Sequence, residues 1–392
     1  MNVSVIKNNR CFGCGSCFQV CPKSAIIMKA DSEGFYFPDV DTYKCVDCSI
    51  CVKKCPSFAP VKKRNFEQKT FAALYRNEKI CSKSASGGAF ASFAIETLSE
   101  GGIVFGCAYN ENLTAIQTKV DNKDDLVKLQ GSKYVSSNTE KTFIDVKDNL
   151  LLGRKVLYSG RPCQIAGLRK FLGKDYDNLL TVDLVCHGVP SELFFQKYLE
   201  WLGKKTGGKI IYYGFRDKNV GGWSCGGKFK TKTKTKTLEA SCDPYYASFL
   251  RGETYRISCY ECPFANTERV GDISICDFWG VEKFYPEIDT AKGVSGIIVN
   301  SEKGESFFEK CRASFDAIEI KLDELKEQNT NLNHPTIMPE KRKTVYKDCI
   351  VNGCFVPRVE YSSYIKLHVT NMLSRLVPKT VKKIIKKILR RA

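Results

Sequence analysis

Cysteine dominates the chemistry open to this chain. Cys11-x2-Cys14-x2-Cys17-x3-Cys21-Pro22 is followed by Cys45-x2-Cys48-x2-Cys51-x3-Cys55-Pro56. This is the spacing of a protein with two 4Fe–4S clusters, written twice. Three close cysteines let one tight loop wrap three corners of a cubane, with its amides aimed at the sulfurs. The fourth cysteine opens a short helix and crosses to the other cluster. The spacing therefore assigns Cys11, Cys14, Cys17 and Cys55 to one cluster and Cys45, Cys48, Cys51 and Cys21 to the other. Ile26 and Val52 are expected in a small apolar shell. The competing reading, a pair of zinc knuckles, is disfavoured because zinc sites rarely use four plus four cysteines with these prolines.

Of the 20 cysteines, twelve lie beyond these runs. Cys259-x2-Cys262 is half of a soft-metal site and needs two more thiolates from elsewhere. The best donors are Cys163 and Cys186, each following an apolar strand-like run, because open α/β sheets place ligands at strand ends. Each is expected to lead into a helix whose N-terminal dipole favours an anionic cluster. By spacing alone these two serve equally well as small buried hydrophobes. Cys81, Cys107, Cys225, Cys242, Cys276, Cys311, Cys349 and Cys354 have no ligand spacing and read as ordinary thiols.

The elements that must position these residues form a mixed α/β pattern. Residues 1–60 make a cysteine-dense N-terminal domain, and 61–70 (VKKRNFEQKT) suit a linker. From Phe71 helix-like runs (SGGAFASFAIETLSE, DDLVKLQ, PCQIAGLRKFL, SELFFQKYLEWLG) alternate with strand-like ones (GGIVFGCAY, KVLYSG, LLTVDLV). The strict Lys–Thr alternation of KFKTKTKTKT (228–237) predicts an exposed hairpin with a charged edge. The expected organisation is a 71–345 domain followed by a 346–392 extension.

Composition excludes several classes. With 43% hydrophobic and 27% charged residues the chain is not wholesale disordered, and no uncharged run reaches the roughly 18 residues of a membrane span. The start, MNVSVIKNNRC, has no apolar secretory core, so a cytoplasmic location is expected. Net charge is +18, of which seven positive charges sit in the last fourteen residues. No zinc-finger, helix-turn-helix or RNA-motif signature accompanies that charge, so nucleic acid is not an expected partner. In the tail, Val381, Ile384, Ile385, Ile388 and Leu389 fall on one helical stripe with the cations off it. This predicts peripheral attachment to the anionic inner face of the cytoplasmic membrane, with docking to an acidic partner as the alternative.

Longer ordered segments carry a resemblance. SASGGAFASFA (84–94), LQGSKYVSS (129–137), SGRPCQIAGLRKFLGKDYDNLLTVDLVCHGVPS (159–191) and RISCYECPFANTERVGDISICDFWG (256–280) resemble the coenzyme F420 hydrogenase/dehydrogenase beta-subunit family. The resemblance is to the bacterial form with an N-terminal dicluster ferredoxin. It implies an α+β or mixed α/β flavoprotein whose C-terminal part holds one further 4Fe–4S cluster beside FAD, which lifts Cys163, Cys186, Cys259 and Cys262 to a third cluster. Arg161, where relatives usually have a small residue, and Cys276, where Gly is more usual, depart from the pattern.

Ser86-Gly87-Gly88 opening a helix lets backbone amides approach a phosphate, although the same triplet serves as a plain N-cap with tight packing. Gly131-Ser132-Lys133-Tyr134 reads as a surface turn without the family. With it, Lys133 is expected to balance flavin charge and Tyr134 to stack on the isoalloxazine. His187, beside Cys186, is the candidate catalytic proton carrier; donation to a cluster sulfur is an equal reading. Asp183, Asp272 and Asp277 are expected to hydrogen-bond loop amides. The expected function is an iron–sulfur flavoenzyme passing electrons between a redox partner and a two-electron organic substrate. Relatives of this layout often accompany cell-surface polysaccharide genes, archaeal ones use coenzyme F420, and plant ones reduce chlorophyll precursors. An electron-transfer subunit feeding a partner enzyme, without a substrate of its own, is the alternative.

Overall fold

The computed structural model describes residues 1–62 and 64–357. The basic tail, and with it the membrane expectation, lies outside the described residues.

The N-terminal domain is ferredoxin-like. A hairpin of β1 (Ile26–Ala30) and β2 (Tyr36–Val40) carries two short helices, α1 (Ser16–Val20) and α2 (Ile50–Lys53). The two cysteine runs repeat one backbone solution. Gly13 and Gly15 have positive φ in the first, and Asp47 and Ser49 occupy the equivalent left-handed positions in the second. Two left-handed residues per loop let the chain turn its cysteines toward one point. In the first loop a Cβ on Gly15 would lie 2.4 Å from Thr139 Oγ1, so only glycine fits against the body of the protein. Ile26 and Val52 are buried with Val3 and the cysteines, as the apolar-shell expectation requires.

From Lys69 onward the alternating apolar runs build one mixed sheet of eight strands. They are β3 (Lys69–Tyr75), β4 (Ile103–Tyr109), β5 (Ala115–Val120), β6 (Val156–Gly160), β7 (Leu179–Leu184), Ile273–Asp277, Ser295–Val299 and Phe315–Glu319. Across the sheet the order is Phe315–Glu319, β3, Ser295–Val299, Ile273–Asp277, β7, β6, β4, β5. The four strands Ile273–Asp277, β7, β6 and β4 run parallel, and the remaining pairings are antiparallel. Helices α3 (Glu78–Cys81), α4 (Ala89–Ser99), α5 (Thr142–Leu151), α6 (Pro162–Leu172) and α7 (Glu192–Thr206) join or follow these strands. Strand β6 is buried along its whole length, Ser159 included, as parallel strands covered on both faces are.

Two expectations shift. DDLVKLQ forms a 3-10 turn, Asp124–Lys128, instead of an α-helix. The boundary expected at 345/346 falls inside packed structure. Tyr346, Cys349 and Phe355 are buried with Phe194 and Tyr198 of α7 in an aromatic cluster, where the Phe194 and Tyr346 rings lie 5.0 Å apart. The Lys–Thr segment forms a hairpin, Gly226–Lys230 with Thr235–Glu239, whose outer strand exposes its lysine and threonines.

Candidate functional site

The twelve predicted ligand cysteines fall around three small cavities, four to each. Cys11, Cys14, Cys17 and Cys55 line one, and Cys21, Cys45, Cys48 and Cys51 line the second. Cys163, Cys186, Cys259 and Cys262 line the third. Cys55 of the second run stands with the first set, and Cys21 of the first run with the second. Among the described residues no three His, Cys, Asp or Glu groups converge closely enough to share one metal ion. Burial pushes the thiols of Cys14, Cys17 and Cys55 up and Cys186 up to about 12.

The three cavities are in series. Cys45 is half-buried and Cys48 exposed, which puts the second set at the surface. Cys51 and Cys55 are electrostatic neighbours and link that set to the first. Phe12 lines both the first and third cavities and packs edge-on against Phe264 with centroids 5.3 Å apart. Cys163 sits in the first turn of α6, directly after β6. Cys186 follows β7, but residues 187–191 separate it from α7, so the dipole argument holds for Cys163 and not for Cys186.

Residues sequence reasoning did not single out clamp the first set to the body. Buried Arg256 donates to Cys11 O at 2.7 Å and Tyr36 O at 3.0 Å and lies 4.0 Å from the Phe37 ring. Ser258 Oγ also donates to Cys11 O, at 2.9 Å, and Thr139 Oγ1 to Cys14 O, at 3.1 Å. Arg342 pairs with Glu33 of the hairpin turn. None of these has a local sequence signal, since each contact joins positions far apart in the chain.

A cavity of about 280 Å³ opens at the C-terminal ends of the parallel strands, where open α/β sheets bind ligands. It lies just below the roughly 300 Å³ at which ordinary ligand pockets begin. Ser86, Gly88, Gly131, Ser132, Lys133, Tyr134 and His187 all line it. Gly87 does not, and its role is packing: a Cβ there would lie 2.3 Å from Ala73 O and 2.5 Å from Ser295 N. Ser86 Oγ donates to Val294 O at 2.8 Å, which commits that hydroxyl to structure. The Lys133 ammonium donates to Lys128 O, Gln130 O and Gly131 O at 2.9–3.2 Å. Its three donors are thereby used, so it brings charge to the wall and no free hydrogen bond. Tyr134 lines the cavity but is itself packed among aromatics, stacked on Phe249 at 4.4 Å, T-shaped to Phe215 at 5.1 Å and tilted to Tyr246 at 5.6 Å.

His187 and Arg161 line both this cavity and the third thiol cavity. The His187 side chain is exposed to the cavity but walled by protein, and burial draws its imidazole below the ordinary range. Asp183 accepts from Gly271 N and pairs with Arg269, both at 2.8 Å. Asp272 accepts from Thr181 N and pairs with Arg64, also at 2.8 Å. Asp277 instead pairs with Arg216 and accepts from Trp223 Nε1, both at 2.7 Å. The cavity also includes Cys107, Gln117, Ser137 and Gln164, which sequence reading left out. Gln164 is the third helical residue after Arg161, and its side chain accepts from the Arg161 N–H at 3.1 Å, a capping position readable in principle. A larger cleft, about 630 Å³, runs between the 56–68 segment and the 261–270 loop, and none of the twelve cysteines lines it.

No helix among the described residues is long and apolar enough to cross a membrane. A protein in the F420-reducing [NiFe] hydrogenase complex from Methanosarcina barkeri is similar at 16% identity, over 76% of this chain and 99% of that one, with a TM-score of 0.48. No curated protein matches the sequence significantly. Two family descriptions match: a 4Fe-4S dicluster domain at residues 8–60, and the C-terminal part of the coenzyme F420 hydrogenase/dehydrogenase beta subunit at residues 153–327. With eight cysteines of the first match and four of the second gathered around their cavities, the chain joins an N-terminal 4Fe-4S dicluster domain to a C-terminal domain of the coenzyme F420 hydrogenase/dehydrogenase beta-subunit family.

Proposed function

We propose that this protein is an iron–sulfur flavoenzyme that passes electrons between a redox partner and a two-electron organic substrate. Cys163, Cys186, Cys259 and Cys262 hold a third 4Fe–4S cluster, and FAD occupies the cavity at the strand ends. The observation that carries this reading is the shared wall: Arg161, Cys186, His187, Gly188 and Val189 line both the third thiol cavity and the larger one. Clusters supply one-electron transfers, and a flavin converts them to two-electron chemistry.

The chain's own residues divide the work. Lys133 and Arg161 put positive charge on the cavity wall, where negative charge on a ligand is stabilised. Gly131, with φ +78 and no atom within 4 Å of where its Cβ would stand, leaves the 131–134 loop free to lie close to a ligand. His187, on the wall between the cysteines and the cavity, is placed to carry a proton at a ring nitrogen. The surface set of cysteines is the contact for the redox partner, and the basic tail attaches the protein to anionic membrane.

Anaerobic purification with iron, sulfide and released-flavin quantification tests the reading. About twelve irons per chain and one flavin are expected, four irons belonging to each cubane. Cys259→Ser is expected to lower the count to about eight. A native value already near eight removes the third cluster. Cluster-replete protein that binds neither FAD nor FMN removes the enzyme and leaves the electron-transfer subunit.

A further inference from the structure

Arg161 is a buried cation without a buried anion. It is only 8% exposed, one Nη donates to Ser137 O at 3.2 Å, and its Nε is closed to solvent with no partner. Three other buried arginines are matched by carboxylates, Arg216 by Asp277, Arg269 by Asp183 and Arg342 by Glu33, and buried Arg256 is met by two backbone carbonyls and the Phe37 ring. No ion pair to a carboxylate is found for Arg161 among the described residues. Its electrostatic neighbours are thiols, those of Cys163, Cys186, Cys259 and Cys107. An unpaired buried guanidinium is costly unless a negative group is present when the protein is assembled.

We infer that Arg161 is the fixed counter-charge of the centre held by Cys163, Cys186, Cys259 and Cys262, and that it raises the reduction potential of that centre. The inference rests on the reading of those four thiols as a 4Fe–4S site. A cubane on four thiolates is anionic and becomes more so when one electron enters from a one-electron donor, here the dicluster domain. No bond is made or broken. The guanidinium stays protonated throughout, so no proton moves and the added negative charge is met by a cation already in place. Because Arg161 also lines the cavity at the strand ends, the same charge faces whatever anionic group occupies it. Arg161 is thus a positioning residue for charge, acting through the cluster.

Potentiometric titration of the full chain with dithionite, followed by electron paramagnetic resonance alongside iron counting, tests this. The N-terminal centres serve as internal references. Arg161→Gln is expected to lower the midpoint of one centre and leave the other two unmoved, and Arg161→Lys to restore it toward the native value. Loss of about four irons in Arg161→Gln but not in Arg161→Lys equally supports a counter-charge. Three unmoved midpoints in an iron-replete Arg161→Gln protein overturn the inference, as does equal iron loss in both variants, which marks a role in shape alone. A native protein with only about eight irons removes the underlying cluster reading, and the inference with it.

Discussion

Gly167 has no side chain where α6 meets the first cysteine run, and that absence lets the first thiol cavity close. A Cβ there would lie 3.0 Å from both Cβ and Sγ of Cys14. Gly167→Ala is expected to destabilise the native protein, and Gly167→Val more so, by about 1–3 kcal/mol as for other overpacked positions. Thermal melting and iron counting check this, with the loss falling on an N-terminal cluster. The cysteine positions themselves were legible in the sequence, because a cubane fixes the spacing of its ligands locally. Gly167, Arg256 and Thr139 were not, since what they touch lies over a hundred residues away. Gly87 was legible as a glycine with a purpose, but the purpose is contact with the β3 and Ser295–Val299 strands and not contact with a phosphate.

At the scale of elements, the parallel strands place Cys163 and Cys186 where their apolar runs end, and that placement followed from the α/β pattern. The docking of the dicluster domain did not. It depends on Arg256, whose two carbonyl acceptors and aromatic neighbour lie on the Cys11 loop and β2. Arg256→Ala is expected to cost about 3 kcal/mol, from two hydrogen bonds by a charged donor. Limited proteolysis would show it as earlier cleavage around residues 60–68. The helix Pro244–Leu250 makes a pH prediction. Its cap, Asp243, accepts from Tyr246 N at 2.8 Å and from the Tyr198 hydroxyl, and burial raises its pKa to about 6. The folded value lies above the unfolded one, so Asp243 contributes stability fully present below about pH 4 and lost as pH rises through about 6. Native protein should lose about 1 kcal/mol more than Asp243→Asn between pH 5 and pH 7, read from denaturant midpoints at the two pH values. An equal pH response in the two proteins would contradict the assignment.

Over the whole molecule, the cavities form a series: the surface set, the set at the body, the set beside Phe12 and Phe264, then the cavity at the strand ends. The mixed sheet and the N-terminal domain were legible as a class. The burial of Tyr346 and Phe355 against α7 was not, because nothing local in a short Val345–Cys349 helix and its following hairpin reveals a distant aromatic partner. The tail makes its own prediction at this scale. The full chain should cosediment with anionic vesicles in a salt-sensitive way and a chain ending at Val377 should not; equal behaviour of the two would leave the tail a packed or partner-binding helix. The central claim is that electrons cross from the dicluster domain to a flavin through Cys163, Cys186, Cys259 and Cys262. Anaerobic stopped-flow mixing with a reduced low-potential protein donor, too large to enter a cavity of about 280 Å³, tests it directly. The flavin band of the native protein should bleach after the iron–sulfur bands, and in flavin-loaded Cys259→Ser the flavin should stay oxidised while the N-terminal clusters still reduce. Flavin bleaching in that variant as fast as in the native protein would contradict the account.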